Sequence, residues 1–193
     1  MNKTVEVFLK HLVNELNDRA GGGGGGGSSY SSTTSSYMRY GNSYLQDNKY
    51  EQAIKQFQKA LDNSYTSDEK KEAYNMLAFS QRKLAGSLLD KSKENYSESL
   101  KLDSKYVPAL EYYGELLLQM NDLETLENKE ILDKIPPKKE EFGELACKIR
   151  QFIDKSKKNQ EKFKSVENKI KDFSLNNCES LGYIDSDTDD DWK

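Results

Sequence analysis

The chain carries one histidine, His11, and two cysteines, Cys147 and Cys178, so few of its side chains can act as nucleophile or general base near neutral pH. His11 has no nucleophile close to it in sequence and falls on the polar side of its segment. It is expected to be solvated or to touch a partner. Two cysteines are too few for a disulfide framework or for a structural zinc site, and they lie far apart in the chain. Their oxidation state and compartment are left open. Seven consecutive glycines at 21–27 lack the lysine and the helix start that a phosphate-cradling loop needs. The 33 Asp and Glu residues sit beside lysines in helical patterns, as solvated faces do. No catalytic residue, metal-ligand cluster or cofactor site stands out, and the expectation is a protein that is not an enzyme.

The composition limits what the scaffold can be. Apolar residues make up 35% of 193, below the roughly 45–50% of an ordinary globular domain, and charged residues make up 32%. No apolar run approaches the ~18 residues needed to span a bilayer. The net charge of −4 resides in the last nine residues, where five aspartates face Lys193. The remainder is neutral and has no excess of cations to neutralise phosphates, so a nucleic-acid partner is not expected. Glu6 interrupts the first apolar stretch, which therefore lacks a signal-peptide core. The cytoplasm is favoured, with a periplasmic or membrane-anchored location left open.

Residues 1–20 read as an amphipathic helix. Val5, Phe8, Leu9, Leu12, Val13 and Leu16 recur at steps of three and four and share one face. A helix this short needs a surface on which to bury that face. Residues 21–36 are almost wholly Gly, Ser and Thr and read as a flexible tether of about 22 Å r.m.s. reach. The glycine run has the look of an engineered linker, which would make residues 1–20 a peptide from a partner protein fused to its receptor. The same stripe also suits a natural capping helix or lid.

Residues 37–132 contain an internal repeat. Tyr37-x-x-Tyr40-Gly41-x-x-Tyr44 is followed by Tyr50-x-x-Ala53-x-x-x-Phe57-x-x-Ala60, with Asp47-Asn48 at the turn. Gly41, Ala53 and Ala60 allow two helices to approach, and the aromatics fill the space between them. A second copy, about two residues longer than the usual unit, carries Tyr74, Leu77 and Ala78, then Tyr96, Ser99, Leu100 and Leu102, with Gly86 at the turn region and Ser92 in the small-residue slot. A third begins with Leu110, Tyr113, Gly114 and Leu117, and its second helix is degenerate.

This spacing resembles the tetratricopeptide repeat. The resemblance covers about half the chain and implies a solenoid of helical hairpins with a groove lined by the first helix of each repeat. Carried over, the lining positions are Met38, Asn42 and Leu45, then Asn75, Phe79 and Arg82, then Glu111, Glu115 and Leu118. Members that clamp an anionic C-terminus of heat-shock chaperones use basic residues in this groove. Here Met38 stands where a lysine would, and Glu111 and Glu115 replace a basic pair, so that clamp is not expected.

After Pro136-Pro137 the apolar positions Phe142, Leu145, Ile149, Phe152, Phe163, Val166, Ile170 and Phe173 hold one heptad phase. The phase favours one long helix over 136–173, capping the third repeat. A dimeric coiled coil and a break near residues 157–159 stay open. Residues 174–193 read as an acidic tail.

The expected architecture is thus all-α: a repeat solenoid, a long C-terminal helix and a separate N-terminal amphipathic helix. The expected function is a scaffold or adaptor that binds a short amphipathic helix of a protein partner. Two alternatives remain: a single natural chain with an N-terminal lid and a homodimerising C-terminal helix, or a chaperone-like escort for an aggregation-prone helix.

Overall fold

The computed structural model describes residues 32–154 and 164–181; the segment 1–20, with all six expected anchor residues, and the end of the acidic tail lie outside them. Among the described residues the chain is all-α, with no strand. Its helices are α1 (Ser32–Gln46), α2 (Tyr50–Asp62), α3 (Ser67–Leu84), α4 (Leu89–Leu102), α5 (Val107–Gln119), α6 (Leu123–Asn128), α7 (Ile131–Lys134), α8 (Glu140–Asp154), α9 (Lys164–Glu167) and α10 (Leu175–Ser180). No described helix is long and apolar enough to cross a membrane.

Each helix from α1 to α5 packs on the next, and α1 also meets α3, as α3 meets α5. The three first helices of the expected repeats therefore lie side by side. The turns that end them share a backbone feature. Asn48, Ala85 and Asn121 all take positive φ, at 55°, 58° and 55°. The first and third are near copies. Asn48 N–H donates to Leu45 O and Lys49 N–H to Tyr44 O; Asn121 N–H donates to Leu118 O and Asp122 N–H to Leu117 O. This pairing closes the helix C-terminus and satisfies its last carbonyls. Asparagine tolerates the left-handed conformation better than most residues. At the second turn Ala85 is followed by Gly86, also at positive φ, and by a short 3-10 turn over Gly86–Leu88. That turn accommodates the extra length of the second copy.

Packing within the first pair follows from residue size. A methyl group added at Gly41 would sit 2.4 Å from the Phe57 ring, so only glycine permits this approach. Ala53, Phe57 and Ala60 form the fully buried stripe of α2. Ser92, the departure from the small-residue pattern, is equally buried, and its hydroxyl donates to Ala78 O at 2.7 Å. Thr66 caps α3 through Glu69: Glu69 N–H donates to the Thr66 hydroxyl while the Glu69 carboxylate accepts from Thr66 N–H. This reciprocal cap leaves neither of those donors unsatisfied.

Three boundaries are corrected. Residues 174–181, assigned to the acidic tail, include the helix α10, where Cys178 is buried. Residues 32–36, assigned to the tether, are helical and begin α1. Tertiary contact overrides their weak helix propensity: Thr34 is fully buried, and its hydroxyl donates to Asn63 O at 2.8 Å. The single helix over 136–173 is also not formed. As one helix it would hold Phe142 and Phe173 about 46 Å apart, at 1.5 Å per residue. Instead their ring centroids are 6.0 Å apart, and Cys147 is disulfide-bonded to Cys178. The chain turns back, and Val166, Ile170 and Cys178 are buried within it. An unbroken heptad phase serves a folded-back pair as well as a straight helix, so it could not separate the two. The break considered near 157–159 falls outside the described residues.

Candidate functional site

The helices α1, α3 and α5 that lie side by side are continued by α8, which packs on α5. The α5–α8 approach is close: a methyl at Gly114 would lie 2.7 Å from both δ-carbons of Leu145. This contact brings polar residues of successive helices into register. Arg82, Glu115 and Lys148 stand 33 positions apart (82, 115, 148) and form a continuous ion ladder. Arg82 Nη2 lies 2.7 Å from Glu115 Oε2, and Lys148 Nζ pairs with Glu115 Oε1. The same offset relates Phe79 and Tyr112, whose rings meet edge-on at 5.1 Å. The Arg82 guanidinium stands 5.4 Å from the Phe79 centroid and 5.9 Å from that of Tyr112. Tyr96, fully buried on α4, stacks on Tyr113 at 5.8 Å.

The electrostatics follow from enclosure. Burial alone would raise the Glu115 carboxyl, but Lys148 and Arg82 outweigh it and hold the group down to about 2. Burial works against the Arg82 charge, and Glu115 more than restores it, leaving the guanidinium above its ordinary value. One turn earlier on the same two helices, Glu111 faces Glu144. Burial, then the hydrogen bond to Glu144, push the Glu111 carboxyl well above its usual range. Burial also raises Glu144, against the hydrogen bond from Glu111, which lowers it. Both carboxyls are thus held above their ordinary value by burial, and their proximity disfavours ionising the two together. Burial raises Tyr96 and Tyr112 as well, so both phenols stay neutral.

All nine residues assigned to the lining are present here, but an open lining is not what the structure shows. Their exposures lie between 1% and 7%. Met38, Leu45, Phe79 and Leu118 belong to the continuous apolar core. Arg82 and Glu115 are enclosed in the ion ladder. Asn42, Asn75 and Glu111 are buried polar groups, and among the described residues Asn42 Oδ1, Asn75 Oδ1 and Glu111 Oε1 meet no hydrogen-bond donor. The structure unites Phe79, Arg82, Glu111 and Glu115 with residues that sequence reasoning missed: Tyr96, Tyr112, Glu144 and Lys148. The 33-residue offset from Arg82 to Glu115 carries on to Lys148, and that signal was obscured by reading α8 as a heptad seam.

The cluster balances charge and presents acceptor atoms. Among the described residues no group of three His, Cys, Asp or Glu side chains could hold a metal ion. No protein-family model matches the chain, and no curated protein matches it.

Proposed function

We propose that the chain is a protein–protein interaction scaffold of the tetratricopeptide type, a solenoid whose first helices bind a short amphipathic helix. Residues 1–20 are that helix, fused through the glycine tether, and the protein is not an enzyme and uses no cofactor. The supporting observation is that α1, α3 and α5 lie side by side and each ends in a turn with a positive-φ residue, Asn48, Ala85 or Asn121, the first and third of these turns being near copies. A stripe of Val5, Phe8, Leu9, Leu12, Val13 and Leu16 would contribute ~1.5–3 kcal/mol for each large side chain fully buried, before ordering costs. A few such anchors reach micromolar affinity, about −8 kcal/mol.

The seam required by the dimer alternative is engaged elsewhere: Ile149, Val166 and Ile170 are buried within the single chain. The scaffold reading is tested by titrating the chain from Ser29 onward with the free peptide of residues 1–20. Saturable binding that a Leu9→Asp, Leu12→Asp peptide does not reproduce is expected. Identical responses to the two peptides would reject it.

A further inference from the structure

We propose that the Cys147–Cys178 bond is a redox lock that holds residues 164–181 on α8 and so steadies the helix that supplies Glu144 and Lys148 to the charge cluster. The bond joins the middle of α8 to α10 across 31 residues, with the two Cα atoms 5.7 Å apart. The segment it holds contains helices of only four and six residues, α9 and α10, which are too short to persist unaided. Among the described residues, further attachments run to α7 and α8. Phe173 packs on Phe142, Arg150 donates from Nε to Phe173 O at 3.1 Å and from Nη2 to Ile170 O at 3.4 Å, and Lys169 pairs with Asp133 at 2.5 Å. Cys147 directly precedes Lys148, so the covalent anchor and the cation paired with Glu115 are consecutive residues of α8.

Closure is a thiol–disulfide exchange. One cysteine thiolate attacks a small-molecule or protein disulfide, whose S–S bond breaks to expel one carrier thiolate as the mixed disulfide forms. The second thiolate then displaces the reduced carrier, so two electrons and two protons pass to the oxidant as the Sγ–Sγ bond forms. A dithiol reverses the sequence. Both cysteines are fully buried, so exchange in either direction requires the segment to open locally first. The lock closes where thiols are oxidised, which places maturation of the chain in an oxidising environment. Reducing surroundings would release the segment and uncover Phe142. This inference stands apart from the binding reading, since it concerns only the C-terminal attachment.

The test uses the full chain refolded in an oxidising glutathione buffer. Iodoacetamide under denaturing conditions should add nothing without reductant and two groups after reduction. Hydrogen exchange by mass spectrometry should then show residues 164–181 exchanging about tenfold faster or more after reduction, a smaller rise in 140–154, and no change in 50–62. A Cys147→Ser, Cys178→Ser chain should behave as the reduced protein; if it does not fold, the wild type with and without reductant carries the measurement alone. Alkylation of both thiols without reductant would overturn the proposal. Unchanged exchange in 164–181, or equal loss of protection in 50–62, would do the same.

Discussion

Glu115 and Lys148 form an ion pair in which the carboxylate side chain is 1% exposed, and Arg82 completes the ladder from the opposite neighbouring helix. Removing the central anion takes from Arg82 and Lys148 the carboxylate with which both are paired. Glu115→Gln should therefore cost about 3–5 kcal/mol in urea unfolding, in line with the loss of one partner from a buried pair. Lys148→Met should cost less, because Glu115 keeps Arg82. A Glu115→Gln chain as stable as the wild type would mean that the ladder is not enclosed.

The Glu111–Glu144 pair should give the protein an unusual pH response. Both carboxyls are raised in the folded state, so their contribution to stability is fully present below about pH 4.5, the ordinary carboxyl value, and is lost as pH rises through the raised native values. Glu115 acts in the opposite sense. Its value is lowered to about 2, so its contribution is lost as pH falls from about 4.5 towards 2. Glu111→Gln mimics the protonated group and should match or exceed wild-type stability at pH 7. The difference should then move in favour of the wild type as pH drops to 4.5. Melting curves of the two chains across this range check it, and parallel profiles would contradict it.

Two glycines should tolerate alanine unequally. At Gly114 the added methyl meets the δ-carbons of Leu145 at 2.7 Å, the flexible end of a side chain. At Gly41 it meets a phenyl ring at 2.4 Å. Overpacking a core costs about 1–3 kcal/mol. Gly41→Ala should sit at or above the upper end, and Gly114→Ala near the lower. Leu145→Ala should partly rescue Gly114→Ala, as denaturant midpoints of the three chains would show.

The α3 cap gives a local prediction. Thr66→Ala removes the acceptor for Glu69 N–H and should cost about 1 kcal/mol. Thr66→Ser should retain most of the stability. The comparison is a thermal melt of the three chains.

These contrasts show which features were legible in the residues. The Gly41–Phe57 contact and the Asp47-Asn48 turn could be read directly, because each rests on a local property: side-chain size in one case, tolerance of positive φ in the other. The start of α1 could not, since Thr34 gains its place from Asn63, just past the end of α2, rather than from helix propensity. The return of the C-terminal segment was hidden by the heptad phase of Phe142 to Phe173, which a straight helix and a folded-back one satisfy equally. Two cysteines 31 residues apart say nothing of proximity until that return is known. Repeat positions did bring Phe79, Arg82 and Glu115 together. They did not reveal the enclosure, because α8 supplies Lys148 and Glu144 from beyond the recognised repeats.

The scaffold reading is tested most directly by locating the leading stripe on the intact chain. A photoreactive phenylalanine analogue placed at Leu12 should cross-link within the same chain to α1, α3 or α5, around Phe79. A Leu9→Asp change should abolish that product. Cross-links formed only between chains, or only to solvent quenchers, would contradict it.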